Sequence, residues 1–354
     1  SANLPISDDI DPAQTDDDFP QKQFNAITWT GNRSSNSTVN NITGVGFQPD
    51  LVWLKFTEQA YDWRLVDSSR GVTEAIRSNQ TTVEQTEANG LYQFGSDGFS
   101  VKGDNNYNYN GGKFIGYCWR ANGGTTSSNT DGSITSTVQA NTAAGFSIVT
   151  YTGTESGATV GHGLGAVPKW IIVKNRSSTK NWACYHVDDN NSGTRAILLN
   201  TGGVDNASSY WNSTQPTSSV FSIGGATEVN ESSSNIVAYC WADVEGFQKF
   251  GTYTGNGNSD GPFVYLGFRP RLLVLKRTTS SGQFNVFDSA RSTFNPVDKY
   301  LGWNVTDAEA TGADVDFLSN GFKVRNTGSG VNTSGTKYIY MAWGDVPFKY
   351  NNTF

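Results

Sequence analysis

Short apolar runs separated by turns rich in Gly, Asn and Pro organise this chain, and no long stretch carries the 3.6-residue period of an amphipathic helix. Three of the runs begin two residues after a proline: Leu51 to Lys55 after Pro49, Trp170 to Lys174 after Pro168, and Leu272 to Lys276 after Pro270. They are apolar at successive positions, which predicts strands buried on both faces at the centre of a sandwich. Proline suits a strand start, where its missing N–H does least harm. Tyr117 and Trp119 are predicted on one face of a strand and Cys118 on the other. Ser133 to Asn141 also alternates and reads as an added strand.

The runs belong to a longer repeat. Ile27-Thr28-Trp29-Thr30-Gly31 returns as Ile148-Val149-Thr150-Tyr151-Thr152-Gly153 and as Gly251-Thr252-Tyr253-Thr254-Gly255. Gly46-Phe47-Gln48-Pro49 is matched by Gly165-Ala166-Val167-Pro168 and Gly267-Phe268-Arg269-Pro270. Ser96-Asp97-Gly98-Phe99-Ser100-Val101 corresponds to Ser319-Asn320-Gly321-Phe322-Lys323-Val324, with a degraded copy at Ser219 to Ile223. Each unit closes on Tyr117-Cys118-Trp119, Tyr239-Cys240-Trp241 or Met341-Ala342-Trp343. Four landmarks in one order, three times, predict an all-β chain of three tandem β-sandwich, jelly-roll-like domains. Their expected extents are 21–121, 131–243 and 246–349, with a flexible linker at 122–130 and a tail at 350–354.

Composition agrees with that class: aromatics, Gly, Asn, Ser and Thr abound, and 354 residues suffice for two or three domains. Charge changes the picture at one end. The net charge is −7, but Asp8, Asp9, Asp11, Asp16, Asp17 and Asp18 account for six of it, leaving the remainder near −1. Residues 1–20 also carry three prolines and the apolar Leu4, Ile6, Ile10 and Phe19, which predicts an extended acidic arm suited to anchoring. No basic cluster suited to phosphates is present, so nucleic-acid binding is not expected. No apolar run reaches membrane-spanning length. Cys118, Cys184 and Cys240 are odd in number and widely spaced, predicting buried free thiols.

Candidate chemistry is sparse. His162 and His186 lack partners at ligand spacing, and no nucleophile elbow, P-loop or dinucleotide fingerprint occurs. Asp67 and Arg70 match Asp288 and Arg291, which predicts an internal ion pair tying a loop, with Asp188 and Arg195 as looser counterparts in the middle unit. Beyond them Asn79 and Glu84 match Asn304 and Glu309. Glu84, Glu87, Asp307 and Glu309 lie in loops written twice, which a single active site would not require. No catalytic residue, metal or cofactor is therefore expected. Aromatics in turn-rich segments (Trp211, Tyr210, Tyr107 and Tyr109, then Tyr61, Trp63 and Trp182) are candidate sugar contacts, with core packing the preferred reading for Trp63 and Trp182.

Gly-Phe-Gln-Pro-Asp-Leu-Val-Trp-Leu-Lys (46–55), Ser-Asp-Gly-Phe-Ser-Val (96–101) and Tyr-Cys-Trp (117–119) resemble a repeat of virion and fibre-like proteins of tailed, often marine, bacteriophages. Gly145 to Gly153 and Lys169 to Lys174 are similar to the same repeat. The resemblance spans about residues 24–348 and implies a location on the virion surface, with no functional residue to carry over. The expectation is a non-enzymatic virion protein, decorating a capsid or forming a head or tail appendage, held to other phage structural proteins by its arm. A carbohydrate-binding adhesin for host surface glycan is the alternative, and a polysaccharide hydrolase the third reading. A homo-oligomer stays open, since three units in one chain already resemble a trimer.

Overall fold

The computed structural model describes residues 20–279 and 281–344. Its regular structure is nearly all β, and the α-helical segments among the described residues are the single turns Asn105–Asn108 and Thr227–Asn230.

The runs behind the three prolines become the strands Leu51–Phe56, Pro168–Asn175 and Pro270–Arg277. Each occupies the third place in the same four-strand order. In the first copy the order is Phe24–Thr30, Lys113–Trp119, Leu51–Phe56, Arg64–Asp67. In the second it is Phe146–Thr152, Asn235–Ala242, Pro168–Asn175, Ala183–His186, and in the third Gln248–Thr254, Lys337–Gly344, Pro270–Arg277, Asn285–Asp288. Register repeats as well. Trp119 lies opposite Phe24 and Leu51, Trp241 opposite Phe146 and Trp170, and Trp343 opposite Gln248 and Leu272.

Alternation along these strands sends side chains two ways. On one side, Val52, Leu54 and Cys118 meet Ile42, Leu91, Phe99 and Val101 of a second sheet in the first copy. Ile171, Val173 and Cys240 meet Val160, Phe221 and Ile223 in the second copy, and Leu273, Leu275 and Ala342 meet Phe317, Phe322 and Val324 in the third. On the other side all three copies enter one cluster, including Trp53, Tyr117 and Trp119, then Trp170, Tyr239 and Trp241, then Leu272, Met341 and Trp343. The two-sided apolar runs therefore have two different covers: a second layer of the same copy, and the neighbouring copies.

Trp119, Trp241 and Trp343 meet edge to face at the hub, with ring centroids 5.4 to 6.0 Å apart. A tryptophan buries roughly 150–250 Å². At about 25 cal/mol per Å², each indole contributes up to about 4–6 kcal/mol, an upper bound because the unfolded chain is already partly compact. Cys118, Cys184 and Cys240 are buried free thiols, with their pKa values pushed up by burial.

Three expectations change. The stretch 122–130 is not a free linker: Asp50 accepts from the N–H groups of Ala121 and Gly123, Gln139 from those of Asn122 and Gly124, and Ser127–Asn129 pairs with Ser136–Asn141. Its glycines serve a tight bend, Gly123 and Gly124 standing at φ of 62° and 81°. Secondly, the strand register puts His186, not Asp188, in the place of Asp67 and Asp288, and so Asp189 in the place of Arg70 and Arg291. Thirdly, Trp211, Tyr210 and Tyr107 are buried and present no ring face to solvent. The arm residues Asp8, Asp9, Asp11, Asp16, Asp17, Asp18 and Phe19, and the tail 350–354, lie outside the described residues.

Candidate functional site

The seams between copies hold most of the buried charge. Lys55, Lys174 and Lys276 close the three post-proline strands, and each ammonium lies 5.8–5.9 Å from an aromatic ring centre, Trp63, Trp182 and Phe284 respectively. Lys55 donates to the carbonyls of Tyr61 (2.6 Å) and, across a seam, Thr306 (2.8 Å). Lys174 donates to Lys180 (2.7 Å) and across another seam to Thr81 (2.9 Å). Burial lowers all three lysine pKa values to about 8. The indole of Trp63 donates to Gly302 of the third copy and that of Trp182 to Arg77 and Gln80 of the first. The contacts thus run in a ring, third copy onto first and first onto second, closed by the second onto the third through Gly282 N–H to Gly202 carbonyl at 3.2 Å.

At the first–second seam, Arg70 donates to Asp67 (2.5 Å) and Glu84 (2.6 Å), and Arg176 of the second copy clasps the same Glu84 through two nitrogens at 2.9 and 2.6 Å. The Tyr239 hydroxyl donates to Asp67 at 2.7 Å. Burial alone would lower the pKa of Arg70, but the negative charges of Asp67 and Glu84 outweigh it and hold the guanidinium above its usual range. At the third–first seam Arg291 likewise joins Asp288 (2.6 Å) and Glu309 (3.2 Å), and the Tyr117 hydroxyl donates to Asp288 (2.8 Å). Here Thr57 stands where the other seam has Arg176, and Lys299 reaches Glu309 at 3.3 Å. A cleft of about 550 Å³ opens there, lined by Thr28, Thr30, Thr57, Glu58, Lys113 and Glu309 among others.

The second–third seam replaces the whole set. Met341 takes the tyrosine position and His186 the aspartate position, its Nε2 lying 3.4 Å from the Tyr340 carbonyl oxygen. Burial lowers the His186 pKa to about 3. Asp189 pairs with Arg195 at 3.4 Å, and burial raises its pKa to about 6 although Arg195 opposes the shift. The expected looser pairing of Asp188 with Arg195 is thus Asp189 with Arg195.

A second recess lies within the third copy. It measures about 350 Å³ and is lined by Arg277, Gly282, Asn285, Tyr300, Asn326 and Ser329, with further glycine backbone around them. The buried Nε of Arg277 has no hydrogen-bond partner.

A family model for a domain of unknown function, DUF7483, matches residues 19–347, so one model runs through all three copies. The chain belongs to the DUF7483 family. No curated protein and no solved structure matches it. In this DUF7483 chain the matched range begins where the acidic segment ends.

The carboxylates expected in duplicated loops of the DUF7483 chain are engaged: Glu84 and Glu309 by arginines as above, and Glu87 by Arg64, Arg77 and the Tyr107 hydroxyl. Among the described residues no group of three or more His, Cys, Asp or Glu is placed to hold a metal ion. His162 faces the Thr217 carbonyl at 3.1 Å, and burial lowers its pKa. Of the candidate sugar contacts, Tyr109 is 38% exposed, its ring stacked on Phe56, while Trp63 and Trp182 sit in the shared core as packing residues. Sequence reading missed Arg277. Its one signal was position: it aligns with Phe56 and Asn175, two residues of quite different chemistry.

Proposed function

We propose that the chain is a non-enzymatic display scaffold in which three tandem β-sandwich, jelly-roll-like domains, 21–121, 131–243 and 246–349, close around an approximate threefold axis. The observation that carries this reading is the shared cluster: each copy buries the second face of its central strands against the other two, so the chain forms one body rather than three beads. Its repeated ionic groups act as ties, Arg70 and Arg291 each linking an aspartate to a glutamate in the same relative positions. The bulk of its surface loops is then free to vary without loss of the frame.

The virion surface is the proposed location, resting on the resemblance of 46–55, 96–101 and 117–119 to the bacteriophage repeat. The acidic segment 1–20 is the proposed tie to a capsid or tail protein. Deleting residues 1–20 is expected to leave a cooperatively folding protein that no longer joins particles, measured by its occupancy in purified virions. Normal occupancy of the truncated chain overturns the anchoring role.

A further inference from the structure

We propose that the recess of the third copy binds a carboxylate-bearing sugar residue, with Arg277 as the group that takes the carboxylate. The comparison among copies carries this. Strand register equates Phe56, Asn175 and Arg277, and the turn behind each strand equates Tyr61, Lys180 and Gly282. Counting along from the closing strands equates Tyr109, Glu231 and Thr333. In the first copy these positions fill their space with aromatic rings, Phe56 lying 5.2 Å from Tyr61 and 5.4 Å from Tyr109. In the second they fill it with a polar set: Asn175 donates to Glu231 at 2.8 Å, and Lys180 pairs with Glu231 at 3.5 Å. In the third, the aligned positions hold the smaller Gly282 and Thr333, Arg277 and Gly282 line an open recess, and the buried Nε of Arg277 has no acceptor.

The second copy therefore indicates what chemistry fits there. A carboxylate, its own Glu231, accepts from Asn175, Ser178 and Ser234. The third copy has no carboxylate at the aligned position, and its cation, Arg277, stands where the second copy has Asn175. A guanidinium matches a carboxylate in geometry and charge, and the Nε–H of Arg277 is without an acceptor. The rest of the wall is neutral and hydrogen-bonding (the Tyr300 hydroxyl, the Ser329 hydroxyl, the amides of Gln283, Asn285 and Asn326), which suits a ring bearing hydroxyls. The volume of about 350 Å³ falls at the lower end of small-ligand recesses, roughly 300–1,000 Å³. The inference goes beyond the scaffold reading and does not depend on where the protein resides.

The test titrates the full chain with sodium glucuronate and with N-acetylneuraminic acid, following chemical shifts or heat. Glucose and acetate serve as controls, each carrying half of the proposed chemistry. Saturable binding of an acidic sugar is expected, at least about tenfold tighter than glucose or acetate. Arg277→Gln is expected to weaken it at least tenfold. Thr333→Glu, which supplies the carboxylate from within as Glu231 does, is expected to abolish binding while keeping the wild-type melting temperature. No saturable binding of either acidic sugar, or equal binding by wild type and a folded Arg277→Gln or Thr333→Glu variant, overturns the proposal.

Discussion

The first–second seam and the second–third seam occupy equivalent places, yet one is built on a connected set of buried charges and the other on a neutral His186 beside a longer ion pair, Asp189–Arg195. In the first, Asp67, Arg70, Glu84, Arg176 and Tyr239 form a connected set in which each charge faces an opposite one. In the other, His186 and Met341 replace the aspartate and the tyrosine together, and Asp189 replaces the arginine. Partial replacement would strand a buried group: an aspartate beside Met341 would lose a donor, and a lone arginine would lose its carboxylate. Removing one partner of a buried pair costs far more than replacing the set. The change of all three positions is what that asymmetry predicts.

The comparison can be broken most severely at Asp67. Asp67→Ala leaves Arg70 with one carboxylate and Tyr239 without an acceptor, and should lower stability by about 3–5 kcal/mol, read from the denaturant midpoint. Asp189→Asn, in the other seam, should cost no more than about 1 kcal/mol at neutral pH, because its ion pair with Arg195 is long, at 3.4 Å, and Arg195 is partly exposed and keeps the Thr278 carbonyl as an acceptor. Equal losses in the two variants would mean that the seams do not differ in kind.

Next in size is Gly202→Ala. Backbones touch directly there, and a Cβ at Gly202 would stand 1.9 Å from the Gly282 carbonyl oxygen, at a φ of +65°. A loss of about 2–3 kcal/mol is expected by thermal melting, since both the approach and the backbone conformation oppose a side chain. Trp63→Phe gives a smaller effect. It removes the donor to Gly302, and Phe284 already fills the same position in the third copy. The expected cost is about 1–2 kcal/mol, mostly the unpaired carbonyl.

Acid response gives the finest discrimination. His186 is neutral in the folded chain down to about pH 3, whereas an unfolded histidine takes a proton near its ordinary value of 6.5. Its contribution is complete above about 6.5 and is lost as pH falls from there toward 3. Asp189 runs the opposite way: its raised pKa of about 6 favours the fold at low pH, and that contribution is lost as pH rises from 3.8 through 6. The two oppose each other between about pH 4 and 6. Asp189→Asn should therefore steepen the fall in melting temperature on acidification, and His186→Gln should flatten or reverse it. Identical profiles for all three proteins would exclude this pair as the source of acid response.

Much of the frame was legible in the sequence because landmark spacing controls register: the Pro runs, the closing Trp strands and the Asp67–Arg70 tie all recur as aligned. The third partner of each apolar run was not legible. Periodicity reports that both faces of Leu51–Phe56 are covered, and it is silent on whether the cover is the same copy or another. His186 was misaligned for a chemical reason, since the set around it had been exchanged and no longer resembled Asp-x-x-Arg. Tyr210 and Trp211 looked exposed because they sit among Asn, Ser and Thr, but their rings turn inward. The recess beside Arg277 is lined by Gly282 and other glycines, and residue type alone does not advertise a vacancy.

The continuous backbone through the three copies has a consequence for how such an assembly can evolve. Three identical subunits are bound by their symmetry, so any change at a contact is imposed at every equivalent contact at once. Here each junction is encoded separately, which allows Tyr–Asp at two of them and Met–His at the last, and lets a single copy open a hollow while its sisters keep theirs filled. Such a body can gain one specialised feature per molecule without weakening the ring that supports it.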